Sequence, residues 1–137
     1  MTTRTRTRSG DLAVIGLVHG DSEHDVEVRL VVPGAVRVAG RGPIQFELAR
    51  NGVDLREAEL IWLVSTNKGW FHMRGEAVVA AGGPPLPFRA DVYASVVGRD
   101  QGPDRLALRL YAPGDDPNQA SPVDKVSGWM DPGSVHM

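Results

Sequence analysis

Glycine and proline punctuate this chain at intervals of about ten residues, and this spacing restricts the fold more than any other feature. The 137 residues include 16 glycines and 10 prolines. Both residue types interrupt regular structure, so the segments between them have no room for long helices. The spacing predicts many short strands joined by turns.

Alternation of apolar and polar residues marks the strands. In His24 to Val32, Val and Leu occupy every second position, and the acids and Arg29 stand between them. A period of two places the apolar residues on one face of a strand. Similar patterns predict eight strands, at 12–18, 24–32, 36–39, 44–48, 58–64, 70–81, 86–97 and 104–111.

These strands predict an all-β fold, either an antiparallel β-sandwich or a small closed β-barrel of about eight strands. Residues 11–137 are expected to form a single domain, and residues 1–10 a flexible basic N-terminal arm. The stretch 113–128, rich in Pro, Asp and Asn, is predicted as a loop over one end of the sheet. Two predictions are kept for residues 127–137: they form a short edge strand, or they stay loose.

Charge and cysteine content exclude several classes of function. The formal net charge is −2 and the pI is about 6.0, so the chain lacks the basic footprint of a nucleic-acid-binding protein. The absence of cysteine excludes disulfides, thiolate nucleophiles and cysteine metal sites, and it suits a reducing compartment. No apolar run is long enough to span a membrane. We therefore predict a cytoplasmic protein that binds neither nucleic acid nor membranes.

The strands on either side of Ala81 to Pro84 are predicted to form a long hairpin. Opposite charges meet when Glu76 lies opposite Arg89, and we adopt this register for that reason. Trp62, Trp70 and Trp129 are each predicted to be core or pocket-wall residues. Core is preferred for Trp62 because it shares one face of its strand with Leu60 and Val64.

One face of the strands between residues 70 and 111 combines charged and aromatic side chains. It has two interpretations: a solvated ladder of ion pairs on an outer face, or the lining of a lumen that binds a small molecule. In the second interpretation His72 and Tyr93 act as acid and base, and Arg74 completes the catalytic set by stabilising negative charge. The predicted substrate-binding residues are Trp70, Glu76, Arg89, Asp91, Ser95, Arg109 and Tyr111.

The leading functional hypothesis is a small-molecule-binding barrel acting as a cofactor-independent cyclase or isomerase of bacterial secondary metabolism. It requires no metal and no cofactor. Two alternatives stay open: a noncatalytic carbohydrate- or protein-binding module, and a homo-oligomeric structural protein that buries the charged face between subunits.

Two loop clusters contain possible metal ligands. The first, predicted mainly as a turn, leaves a divalent-metal site open; its members are His19, Asp21, Glu23, His24 and Asp25. The second, Gly114 to Asn118, has oxygen ligands suited to calcium but lacks the spacing of an EF-hand loop, so a solvated loop is preferred.

Four short motifs resemble the post-COAP type of β domain, which is found mostly in secreted bacterial proteins. They are Gly42 to Phe46, Trp70 to Ala77, Leu86 to Val92 and Gly102 to Tyr111. The resemblance spans roughly residues 42–128 and implies an all-β accessory domain without catalytic residues. It therefore supports the noncatalytic binding module.

Overall fold

The protein is described here from a computed structural model, which covers residues 10–20, 24–50 and 52–137. Strands make up 58% of the structure and helix 5%, so the predicted all-β class is confirmed. The elements are β1 (Leu12–Gly20), β2 (Val26–Val32), α1 (Gly34–Ala39), β3 (Gly42–Arg50), β4 (Val53–Ser65), β5 (Trp70–Val79), β6 (Leu86–Tyr93), β7 (Asp104–Leu110), β8 (Asp124–Met130) and β9 (Val135–His136).

The sheet closes on itself. Each strand from β1 to β8 pairs with the next in antiparallel fashion, and β1 also pairs with β8, which completes a ring of eight strands. The two-residue β9 adds to β1 beyond this ring. Closure confirms the small barrel of about eight strands and decides against the sandwich, because a sandwich has two separate sheets.

Apolar side chains from all eight strands point into the lumen. At its centre the rings of Phe46 and Phe88 meet edge to face, with centroids 5.0 Å apart. An eight-stranded barrel is just wide enough for side chains to fill it, and this interior is built in that way. The largest fully buried side chains include Phe46, Phe88, Leu12, Leu30, Leu55, Leu60, Met73 and Met130.

The charged face of β5, β6 and β7 therefore points outward. In β5 the buried residues Phe71 and Met73 alternate with half-buried His72 and Arg74. The leucines of β7 are buried, and Arg109 lies between two of them on the outer side. The structure thus supports the outer-face interpretation, and these polar residues do not line the lumen.

The predicted hairpin register is wrong by two residues. In the structure Glu76 faces Pro87, and Arg74 instead of Glu76 faces Arg89. The assignment of residues to the two faces is unaffected, because a shift of two preserves alternation. The predicted register rests on ion pairing across the outer face, and ion pairing does not set the register of these strands.

Packing inside the barrel accounts for the observed register. Gly75 lies opposite Phe88, and a Cβ atom on Gly75 would stand 2.7 Å from Cε1 of the Phe88 ring. The ring thus occupies the space that the glycine leaves, a known way for an aromatic residue to fix register. In the predicted register Phe88 would lie opposite Ala77, whose methyl group would occupy the space that Gly75 leaves open for the ring. Overpacking a core costs about 1–3 kcal/mol, whereas an exposed ion pair contributes a few tenths. Packing of Phe88 against Gly75 therefore determines the register of β5 and β6.

Two segments differ in type from the sequence prediction. Residues 36–39, predicted as a strand, belong to α1, which starts after Pro33 and ends at Gly40 with φ 76°. Proline before a helix and a left-handed glycine after it are common boundary signals. The last five residues of the predicted loop 113–128 belong to β8. The barrel reaches eight strands with β8 in place of the strand expected at 36–39.

Trp62 lies on the outside of the barrel, so its prediction as a core residue is wrong. A β-bulge between Leu60 and Trp62 shifts the alternation by one residue. Leu60 is fully buried, while Ile61 and Trp62 are 46% and 44% exposed. A bulge redirects the side chains that follow it, and here it turns an indole ring toward the outer surface beside β5.

Among the described residues, no helix has the length and apolar character needed to cross a membrane.

Candidate functional site

Four basic side chains form a row across the outer face of the barrel. Arg74 of β5 lies opposite Arg89 of β6, Arg89 opposite Arg109 of β7, and Arg109 opposite Lys125 of β8. Adjacent strands are about 4.8 Å apart, so the row is roughly 14 Å long. Like charges directly opposite each other destabilise a sheet, by up to about 1 kcal/mol per pair. We call these four residues the cation row.

Within the described residues, ion pairs connect the cation row to two carboxylates. Asp91 Oδ2 lies 3.8 Å from Arg89 Nε and 3.6 Å from Arg109 Nη1, and Asp116 Oδ1 lies 3.9 Å from Arg74 Nη2. These distances are beyond hydrogen-bond length. The Nε atom of Arg89 is buried and has no hydrogen-bond partner in the described part of the chain. The row therefore keeps donor capacity that its own counter-ions do not use.

An open groove of about 670 Å³ adjoins the cation row at Arg74 and Arg89. Its volume is in the range of sites that bind small molecules. The bulged pair Ile61 and Trp62 forms one wall, and the β7–β8 loop contributes the other. The lining residues are Ile61, Trp62, Arg74, Gly75, Glu76, Pro87, Arg89 and 115–118.

The loop wall is held by its own hydrogen bond. Asp116 Oδ1 accepts from the backbone N–H of Asn118 at 2.9 Å, the geometry of an Asx turn. The predicted loop thus lies beside the outer face at Arg74. No cluster of three or more His, Cys, Asp or Glu side chains that could hold a metal ion occurs in the described part of the chain.

His72 and Asp91 form a hydrogen-bonded pair next to the cation row. The two residues face each other across β5 and β6, and His72 Nδ1 lies 2.7 Å from Asp91 Oδ1. The Trp70 ring is nearly parallel to the imidazole, at 3° and a centroid distance of 6.1 Å. Asp91 thus contacts a histidine and two arginines at once, and it orients the imidazole.

Tyr93 lies at the end of β6, beside Trp70. Its ring centroid is 5.2 Å from that of Trp70, and its hydroxyl donates to Asp100 Oδ2 at 3.3 Å. Desolvation, and after it the nearby Asp100 carboxylate, raise the pKa of Tyr93 above its ordinary value of 10.0. Tyr93 is therefore protonated at neutral pH and can act there as a proton donor only.

The other predicted binding residues are distributed between the groove and the interior. Glu76 is exposed and lines the groove. Tyr111 is buried, at 3% exposure. Ser95 is buried too, and its hydroxyl donates to Asp104 Oδ1 at 2.8 Å. Ser95 and Tyr111 are thus separate from the outer surface that carries the remaining site residues.

The first loop cluster is only partly described. His19 Nδ1 lies 2.8 Å from Asp25 Oδ2, and its ring is 4.4 Å from that of Trp129. Asp21 and Glu23 lie outside the described residues, so the open question of a metal site there stays open.

Neither Lys125 nor the loop wall was predicted as part of the site, and Trp62 was predicted as a core residue in preference to a pocket wall. The run from Leu60 to Val64 is apolar throughout, so it contains no alternation from which a bulge could be located. The sequence does contain a strand pattern at Lys125, because Lys125, Ser127 and Trp129 alternate with Val126 and Met130. The acids and prolines of the preceding loop obscured this short strand.

No family model, curated protein or solved structure matches this chain. The resemblance to the post-COAP type of domain stays a prediction from its motifs. The geometry of the outer face is therefore the basis for assigning a function.

Proposed function

We propose that the protein binds a small anionic molecule on the outer face of β5–β8, with phosphate or carboxylate groups on the cation row. The observation that carries this proposal is the register that sets Arg74, Arg89, Arg109 and Lys125 side by side. Guanidinium groups bind such anions through charge-assisted hydrogen bonds.

The electrostatics favour a bound anion over a purely structural ladder. A ladder that stabilised the sheet would place opposite charges in register, whereas here three successive cross-strand pairs are cationic. An anion between the arginines would relieve this repulsion and accept hydrogen bonds from the exposed part of the Arg89 guanidinium, since the side chain is 40% exposed although its Nε atom is buried. The adjoining groove provides room for the rest of the ligand.

Calorimetric titration with pyrophosphate at low ionic strength tests this proposal. We expect saturable binding that weakens severalfold when salt rises from about 0.05 to about 0.5 M. Arg89→Gln should weaken binding about tenfold, because a hydrogen bond to a charged group contributes roughly 1.5 kcal/mol.

The matched control is Arg56→Gln. Arg56 is an exposed arginine of β4 that pairs with Asp54 outside the groove, with Nη2 and Oδ2 3.1 Å apart. This variant should bind pyrophosphate like the wild type. Equal losses of pyrophosphate affinity in Arg89→Gln and Arg56→Gln would mean that only the net charge of the protein matters. An absence of saturable binding would refute the proposed function.

The His72–Asp91 pair favours a second candidate function, a cofactor-independent isomerase or cyclase acting on the bound anion. With its proton on Nδ1, directed at Asp91, the imidazole presents Nε2 as a base. His72 lies two residues from Arg74 on the same strand face, about 7 Å along the strand. It could therefore move a proton between two carbons of a ligand whose carboxylate or enolate is held by the arginines.

Proton exchange in deuterated buffer tests this second function. The probes are 2-oxo acids, and NMR measures how fast deuterium replaces hydrogen on the carbon next to their carbonyl group. If His72 is the base, His72→Gln should slow exchange about 100-fold, while Arg56→Gln should not change it. Equal rates in the wild type and His72→Gln would rule out this function and leave anion binding unaffected.

A further inference from the structure

The Trp62 ring forms an aromatic wall next to the cation row. Trp62 of β4 pairs directly with Arg74 of β5, so the indole is a neighbour of the first guanidinium. Its side chain is 44% exposed, and the bulge keeps it on the outer face. An exposed indole provides a flat surface on which a planar ring can stack.

Hydrogen-bond acceptors from the loop share this groove with Trp62. The carboxylates of Asp115 and Asp116 and the amide of Asn118 line it together with the indole. The Asx turn at Asp116 fixes the loop, since its carboxylate accepts from the Asn118 N–H. These groups suit a ligand whose planar part has amino or hydroxyl donors, whereas a simple inorganic anion would leave them unused.

We infer that the anion is a nucleoside polyphosphate, with its base stacked on Trp62 and its phosphates on Arg74, Arg89 and Arg109. This inference rests on the proposed function and names the ligand class of the same site. From Trp62 to Arg109 the surface crosses three strand spacings, about 14 Å, which is comparable to an extended nucleoside diphosphate or triphosphate. The loop acceptors receive hydrogen bonds from the base and the sugar.

A free nucleotide fits this surface better than a nucleic-acid strand. The groove is bounded by the bulge on one side and the loop on the other, and its 670 Å³ is the size of a single small ligand. The formal net charge of the whole chain is −2. A strand would need a longer basic track to guide its backbone.

Parallel calorimetric titrations with ADP, pyrophosphate and adenosine test the inference. We expect ADP to bind at least tenfold more tightly than pyrophosphate, because base stacking adds to the phosphate contacts. Adenosine should bind more weakly than ADP, since it lacks the anion. In Trp62→Ala the ratio of the ADP affinity to the pyrophosphate affinity should fall to near one, and Trp62→Phe should keep part of the wild-type ratio.

Trp129→Ala is the matched control, because Trp129 is 46% exposed on β8 and is not among the groove residues. It should bind ADP like the wild type. Equal affinities for ADP and pyrophosphate would overturn the nucleotide inference while the proposed function stands. Failure of pyrophosphate itself to bind would refute the proposed function. Tighter binding of a short oligothymidylate than of ADP would also overturn the inference, in favour of a strand.

Discussion

Replacing Asp104 with alanine is expected to lower the free energy of unfolding by about 3–5 kcal/mol. Asp104 is fully buried at the start of β7. Its Oδ1 accepts from the N–H and the hydroxyl of Ser95, both at 2.8 Å. Its Oδ2 accepts from the N–H groups of Gly133 at 3.1 Å and Val135 at 2.8 Å. The carboxylate therefore joins the start of β7 to the β6–β7 connection and to the chain leading into β9.

The size of this effect comes from the donors that the variant leaves behind. Without the carboxylate, the buried N–H groups of Ser95 and Val135 have lost their acceptor, and each costs about 1–3 kcal/mol unless the chain opens there to water. Asp104→Asn should give an intermediate loss, because the amide oxygen accepts and the amide nitrogen does not. Chemical denaturation followed by circular dichroism measures both variants.

Asp131→Ala is the control for Asp104, since Asp131 is an exposed acid in the turn that follows β8. It should change stability by no more than about 0.5 kcal/mol. Equal stability of Asp104→Ala and the wild type would contradict the assigned role of this carboxylate.

Replacing Gly128 with alanine is expected to open the barrel at the β1–β8 pairing, with a loss of about 3 kcal/mol or more. A Cβ atom at Gly128 would stand 1.8 Å from the backbone oxygen of His19, so backbone would have to move. Among the described residues, β1 and β8 pair at two positions, His19 with Trp129 and Gly20 with Gly128. An obstruction at Gly128 therefore disturbs the contact that closes the ring.

Thermal unfolding and amide hydrogen exchange check this prediction. Gly128→Ala should unfold more than about 10 °C below the wild type, with exchange accelerated first in β1 and β8. Gly102→Ala is the control, because there the nearest atoms to an added Cβ are the flexible Asp100 carboxylate oxygens at 3.3 Å and 3.4 Å. A Gly128→Ala protein as stable as this control would show that the β1–β8 pairing tolerates a side chain.

The sequence predicts the inside of this barrel better than its outside. Alternation in β2 and β7 assigned the buried faces correctly, because burial of apolar side chains is the largest favourable term in folding. The same alternation put His72, Arg74 and Asp91 on one face, and the structure has them there.

The positions of these groups relative to one another could not be predicted from charge. The register of β5 and β6 depends on the fit of Phe88 over Gly75, a contact on the opposite face of the sheet from the arginines. Likewise, the bulge that exposes Trp62 leaves no trace in an unbroken apolar run. The cation row and the groove beside it are thus consequences of interior packing, which becomes visible only in three dimensions.

An NMR titration of the arginine Nε–Hε groups with pyrophosphate tests directly whether the cation row binds an anion. We expect the Arg74, Arg89 and Arg109 signals to shift together along one saturation curve, while the signal of Arg56, which pairs with Asp54 elsewhere, does not move. Shifts of similar size at all arginines without saturation, or no shift at the row, would contradict the assignment of this face as an anion-binding site.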